Sequence, residues 1–200
     1  MDDRFIVFDV ETPNSLNDRM SALGITVLEK GRVAEEFYTL IDPQTRFARF
    51  NVELTGISPA DVADSPTFPE VWEAARPLME SGILAAHNAP FDMGVLSKCL
   101  KAYGIVSPRH FPYVCTCRMG RRMCPDFPNH RLDTMCSRFG IDLSHHNAGS
   151  DAHAAAMLLK KYTDMGADAA DFIRTYDVKE CRTLPAAEGM RDLYNCRKQQ

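Results

Sequence analysis

Near the start of the chain, Phe5 to Val10 read F-I-V-F-D-V, an apolar run broken by one carboxylate. A near-continuous run of this kind is a central strand buried on both faces, so other layers must cover it. Ala22 to Leu28 and Val33 to Ile41 are rich in β-formers, and Glu29-Lys30-Gly31-Arg32 between them reads as a turn. Three strands joined this closely fit an antiparallel meander.

Helical signals follow. Ser58-Pro59-Ala60-Asp61 has a capping serine and a first-turn proline, and reads as a helix start. Thr67 and Glu70 have capping-box spacing before a helix over Phe68 to Glu80. Ile83 to His87 is a short buried strand. A helix from Pro90 to Tyr103 stops at Gly104. A short strand is expected near Tyr113-Val114-Cys115, then a loop or short helix. Leu132 to Phe139 forms a helix closed by Gly140, and Ser150 to Met165 a strong one. A meander followed by alternating helices and strands predicts an α/β fold, a mixed sheet with helices on its faces. Residues after about Gly166 read as a weaker helix and a polar tail.

With 200 residues the chain suits one domain, or one domain and a short appendage. Its formal net charge of -4 argues against coating long nucleic acid by charge alone, which rests on many Lys and Arg contacts to phosphates. It leaves open an enzyme that grips a strand end. No stretch approaches the roughly 18 to 20 apolar residues that a membrane span needs. The short run behind Asp2 and Asp3 does not resemble a secretory leader. The expectation is a cytoplasmic protein whose seven cysteines stay free thiols.

The chemistry lies in carboxylates. Asp9 and Glu11 are two apart on a strand, so both point to one side. Like charges side by side are costly to bury unless a cation lies between them. A solvated strand end is the plain alternative. Asp92 stands between a buried strand and a helix, where open α/β sheets place their sites, though a first-turn acid also suits the helix dipole. Asp151 opens the last strong helix, before the small-residue run Ala152-His153-Ala154-Ala155-Ala156, which allows close packing on a sheet. Ser150 or Asp151 alone could serve as a helix cap. His146 lies on the loop before it. Hard oxygen ligands suit Mg²⁺, and a histidine titrating near neutrality can take a proton from water.

At these residues the chain resembles the DEDDh exonucleases, a family that includes proofreading subunits of bacterial replicative polymerases. The resemblance covers about residues 4 to 165, the expected exonuclease domain, and leaves 166 to 200 as an appended helix and tail. It rests on Phe8-Asp9-Val10-Glu11-Thr12, on His87-Asn88-Ala89-Pro90-Phe91-Asp92, and on His146 through Asp151 in H-x4-D spacing. Leu54-Thr55-Gly56-Ile57-Ser58 and Arg131-Leu132-Asp133-Thr134-Met135-Cys136 add to it. The resemblance implies a ribonuclease-H-like fold and removal of nucleoside monophosphates from 3′ ends of single-stranded DNA or RNA, with DNA favoured. It also implies two divalent cations, Mg²⁺ or Mn²⁺, on Asp9, Glu11, Asp92 and Asp151, with His146 as general base. Thr12, Leu54, Thr55, Ile57, Asn88 and Phe91 become expected substrate contacts. Two settings stay open for such an enzyme: a free-standing exonuclease, or a proofreading or repair subunit inside a DNA polymerase assembly. The alternative is a binding subunit without catalysis, or one active only with its partner. Pro13-Asn14 and Gly149 depart from the family pattern, and Gly149 suggests a looser third motif.

Residues 98 to 138 carry eight Lys or Arg against Asp126 and Asp133. Arg118, Arg121 and Arg122 are the expected phosphate contacts. Cys115, Cys117, Cys124, His130 and Cys136 offer zinc-type ligands without the spacing of a zinc module, so buried thiols are the preferred reading. His145, beside His146, competes for the base role.

Overall fold

The computed structural model describes residues 4–184. The first three strands are β1 (Arg4–Glu11), β2 (Ala22–Glu29) and β3 (Arg32–Leu40), which pair antiparallel as a meander. Then come helices α1 (Arg49–Thr55) and α2 (Phe68–Met79), strand β4 (Ile83–Ala86) and helix α3 (Pro90–Ala102). Strand β5 (His110–Cys115) leads into α4 (Thr116–Met123), α5 (Leu132–Phe139) and α6 (Ala148–Asp164). A 3-10 turn at Ala169–Phe172 precedes β6 (Arg174–Asp177) and β7 (Arg182–Leu184). One seven-stranded sheet results, in the order β3-β2-β1-β4-β5-β6-β7, with β4 parallel to both β1 and β5.

The period of two along β1 sorts its side chains into two cores. Ile6, Phe8 and Val10 join Trp72, Met93 and Leu96 on the side of α2 and α3. Phe5 and Val7 join Leu158, Leu159 and Tyr162 on the side of α6. Asp9 and Glu11 continue the odd series, so the strand aims both toward α6. Edge strand β3 is mostly exposed and carries Glu35 and Glu36, charges that discourage pairing with another chain.

Several local signals act as the sequence suggests. Thr67 donates its N–H and its hydroxyl to the Glu70 carboxylate at 2.7 Å each, at the start of α2. Gly140 closes α5 with a left-handed φ of 65°.

Three readings change. Ser58-Pro59-Ala60-Asp61 starts no helix. Ser58 gives its N–H (2.8 Å) and its hydroxyl to the Asp61 carboxylate, and the segment closes on itself as turns. The helix expected after Gly166 is instead the 3-10 turn and two strands that lengthen the sheet; residues 185 to 200 lie outside the described residues. The cap of α6 is neither Ser150 nor Asp151. Asn147 fills that place, accepting the Ser150 N–H at 3.0 Å. Among the described residues no helix is long and apolar enough to cross a membrane.

Candidate active site

The parallel strands β1 and β4 end at the same edge of the sheet, where α3 and α6 also begin. That edge gathers the four acids. Asp9 and Glu11 come from the end of β1, Asp92 from the first turn of α3, and Asp151 from the first turn of α6. Glu11, Asp92 and Asp151 are buried, while Asp9 stays partly open. Carboxylate oxygens of Asp9, Glu11 and Asp151 all lie within 4.8 Å of one another. Asp92 stands just outside that group, yet close enough for its charge to act on Asp9.

Gly24 brings Asp151 there. It lies on β2 directly opposite Asp9. A Cβ on Gly24 would sit 2.1 Å from the Ala148 carbonyl oxygen and 2.6 Å from the Gly149 nitrogen. A glycine inside a strand marks a close backbone approach, and here the approaching backbone is the start of α6. Ala148, Ala152 and Ala155 are buried along that helix, as the small-residue run predicts. At Gly149 the Tyr38 ring packs to within 3.2 Å of where a Cβ would be, so a larger side chain there would press on that ring.

The acids strain against one another. Burial holds the Asp9 carboxyl well above the usual range, and the charges of Asp92, Asp151 and Glu11 add to it. Burial, then the Asp151 charge, pushes Glu11 up to about 7. Burial also raises Asp92 well above its ordinary value, although backbone hydrogen bonds at Asp92 itself and Val10 oppose the rise. Asp151 rises through burial, against the pull of His145. Its Oδ2 accepts the His146 N–H at 3.2 Å and lies 2.9 Å from His145 Nδ1. Its Oδ1 is buried with no hydrogen-bond partner. A buried carboxylate oxygen left unsatisfied among other carboxylates is a hard oxygen donor of the kind that suits a divalent cation.

The two histidines stack, with ring centroids 4.0 Å apart. Both offer a ring nitrogen within 4.8 Å of an Asp151 oxygen. His145 makes the direct side-chain contact and lines the cavity over the acids. His146 has a left-handed φ of 66°, and burial, then His145, lowers its pKa.

The cavity holds about 460 Å³, and its lining includes Asp9, His87, Asn88, Arg121, Arg131, His145 and Asp151. Asn88 takes a φ of 67°, a conformation asparagine tolerates, between β4 and α3. His87 Nε2 lies 2.9 Å from the His130 carbonyl and Nδ1 2.9 Å from the Thr116 hydroxyl. Burial drives its pKa down to about 4, so the ring is neutral, donates to the carbonyl and accepts from the hydroxyl.

On the other side of the acids, Asn51 Nδ2 donates to the Thr12 carbonyl (2.9 Å) and Oγ1 (3.3 Å), tying α1 to the end of β1. Of the expected substrate contacts, Leu54 and Phe91 expose about two-fifths of their surface. The Thr55 hydroxyl donates to the Asn51 carbonyl and accepts the Ile57 N–H. Ile57 is buried with Ala22, Val62 and Ala148, so it offers a base little surface. Pro13 and Asn14 anchor the same corner: the Pro13 carbonyl accepts the Ala48 N–H, and Asn14 Nδ2 donates to the Arg46 carbonyl, both at 2.8 Å.

Of Arg118, Arg121 and Arg122, Arg121 alone lines the cavity, and the Arg122 guanidinium lies 5.3 Å from the centre of the Phe172 ring. Among the described residues no cysteine belongs to a group able to hold a metal, and Cys115, Cys117, Cys124 and Cys136 are buried free thiols. Sequence reasoning missed Gly24 and Asn51. Gly24 carried a signal, a glycine in an apolar strand. Asn51 carried none, since its partner is 39 positions away.

The family model described as RNase_T, Exonuclease, matches residues 6–159. Among curated proteins, the chain is 35% identical over 163 residues to the PolC-type DNA polymerase III of Bacillus subtilis (strain 168). That match covers 80% of this chain and 11% of the polymerase, so the chain spans a small part of such relatives. Among solved structures, exonuclease X in complex with 5′ overhanging duplex DNA aligns with a TM-score of 0.67 at 20% identity, covering 84% of this chain and 96% of that one. The nuclease domain of 3′hExo, a DEDDh family member bound to rAMP, aligns at 0.66 and 16% identity, covering 82% and 92%. At these identities the likeness is one of fold, and the fold is ribonuclease-H-like.

Proposed function

The chain belongs to the RNase_T exonuclease family, and from that premise we propose that it is a metal-dependent 3′→5′ exonuclease of the DEDDh type. It would release nucleoside monophosphates from 3′ ends of single-stranded nucleic acid, with DNA favoured over RNA. Two divalent cations, Mg²⁺ or Mn²⁺, would be held by Asp9, Glu11, Asp92 and Asp151. The observation that carries this reading is the unsatisfied, buried Asp151 Oδ1 amid carboxylates that cannot all ionise without a cation. When bound, such ions activate a water and stabilise the attacking and leaving oxygens of a phosphodiester.

The chain's own residues supply the rest. His146 would take the proton of the attacking water, and His145 holds the carboxylate of Asp151, one of the residues that would hold the ions. Thr12, fixed by Asn51, meets the terminal nucleotide. Leu54 and Phe91 offer exposed apolar surface to its base, with Thr55, Ile57 and Asn88 shaping the segments behind them. Stacking of this kind suits a single strand, whose bases are free.

The proposed setting is cytoplasmic DNA replication or repair, with a polymerase assembly as partner, after the PolC-type enzymes the chain is similar to. A binding subunit without catalysis is the weaker reading, because all four acids are present.

A time course on 5′-labelled single-stranded DNA and RNA, with Mg²⁺ or Mn²⁺, with EDTA, and with Asp9→Asn, tests the proposal. The expected result is a descending ladder that needs metal and vanishes in the variant. Activity retained by Asp9→Asn would overturn the two-ion assignment.

A further inference from the structure

The acid cluster creates a problem for its own substrate. Four carboxylates face a polyanion, and bound cations offset that repulsion only at the scissile phosphate. The phosphates that follow along the strand need a cation elsewhere on the cavity wall.

The wall built by α4 and the loop before α5 carries two cations, Arg121 and Arg131. Arg131 is already engaged, with its guanidinium 3.2 Å from the Asp133 carboxylate. Arg121 has no carboxylate partner among the described residues. It lies one helical turn beyond Cys117, so both sit on one face of α4. Its guanidinium acts as a nearby positive charge on the Cys117 thiol and on His87. Arg121 lines the same cavity as Asp9 and Asp151 yet pairs with neither. A guanidinium within reach of those acids would be drawn onto them. Its position is therefore beside the cluster and not over it. His87, held neutral between Thr116 and His130, adds no competing charge at this wall.

We propose that Arg121 binds a backbone phosphate of the substrate strand adjacent to the scissile one, and so sets the preference for polynucleotide over an isolated phosphodiester. The inference rests on the exonuclease reading above. Arg118 and Arg122 do not line the cavity and have no part in it.

The test compares the full chain with Arg121→Gln and Arg121→Lys on two substrates, in Mn²⁺. One is a single-stranded DNA oligonucleotide. The other is the p-nitrophenyl ester of thymidine 5′-monophosphate, a phosphodiester with no flanking phosphate. For Arg121→Gln the expected outcome is a KM on the oligonucleotide raised about tenfold with kcat kept, and a salt dependence of KM weakened by about one phosphate contact. Both parameters on the small ester stay at wild-type values. Arg121→Lys recovers part of the loss, since it keeps the charge and gives up the planar fork. An equal loss on both substrates would overturn the inference by moving Arg121 to the scissile phosphate or to a structural role. Wild-type values on both substrates would overturn it as well. A wild-type protein inert on both, with metal present, would instead bring down the exonuclease reading beneath it.

Discussion

Asp151 and Asp177 are both nearly sealed from solvent, at 4% and 2% exposure, yet their acidities move in opposite directions. Asp177 ends β6, between β5 and the edge strand β7, and its carboxylate is satisfied there. Arg109 donates to Oδ2 from Nε (3.1 Å) and Nη2 (2.9 Å), His110 lies 3.4 Å away, and the backbone N–H groups of Lys179 and Glu180 donate to Oδ1 at 3.0 Å. The Arg109 hydrogen bond, with help from its neighbours, pulls its pKa to about 2. Asp151 has one oxygen engaged and the other without a partner, and three more carboxylates nearby. Burial alone does not say what an acid is for; its partners do. A satisfied buried acid holds structure, whereas an unsatisfied one among its own kind marks a candidate functional site.

The sharpest break between the two is substitution by asparagine. Asp151→Asn should abolish hydrolysis while the melting temperature without metal holds or rises, since one repelling charge is gone. Asp177→Asn should lower the melting temperature by several degrees and leave hydrolysis near wild type. Assay and thermal melt, run on both variants, check the pair, and an exchange of these outcomes would sink the comparison.

His146→Ala should slow turnover by about 10²- to 10⁴-fold, the usual worth of a positioned general base. Metal affinity should change far less. His145→Ala, measured alongside, sharpens the assignment: a larger loss of turnover there would move the base role to the residue that lines the cavity.

Gly24→Ala acts at a distance from substrate. The added methyl has to displace the Ala148 carbonyl, so the start of α6 must shift. The expected cost is about 1–3 kcal/mol, typical of overpacking, with a fall in metal affinity because Asp151 moves with the helix. Wild-type metal affinity in this variant would contradict the role given to Gly24.

The smallest effect is on stability against pH. In the metal-free protein Glu11 titrates at about 7 instead of its ordinary 4.5. The folded state therefore holds this proton more tightly than the unfolded chain does. Its contribution to stability is fully present below about 4.5 and is lost as pH rises through about 7. Asp177 runs the other way: its contribution is present above 3.8 and is lost as pH falls through about 2. Melting temperatures of the metal-free protein should decline between about pH 4.5 and 7, and saturating Mn²⁺ should remove that decline.

The elements that form the site were largely readable from local signals. The broken apolar run of β1, the capping box of α2 and the alanine run of α6 each act within a few residues of where they are written. What escaped is tertiary. β6 reads R-T-Y-D, with no alternation of apolar and polar residues, and it becomes a strand because β5 offers an edge and Asp177 a hub. Ser58 to Asp61 has the letters of a helix start, but the serine and aspartate bond each other instead of opening a helix. The H-x4-D register points to His146, while packing hands the Asp151 contact to His145. No spacing rule distinguishes two stacked rings.

Carboxylates that burial holds partly protonated must give up protons when a cation binds them. Calorimetric titration of the metal-free protein with Mn²⁺ at about pH 6.5, in two buffers of different ionisation enthalpy, counts the protons released. At least about one proton should be released per chain, fewer as pH is raised well past 7, and Asp151→Asn should show no saturable binding. Tight binding without proton release would contradict it.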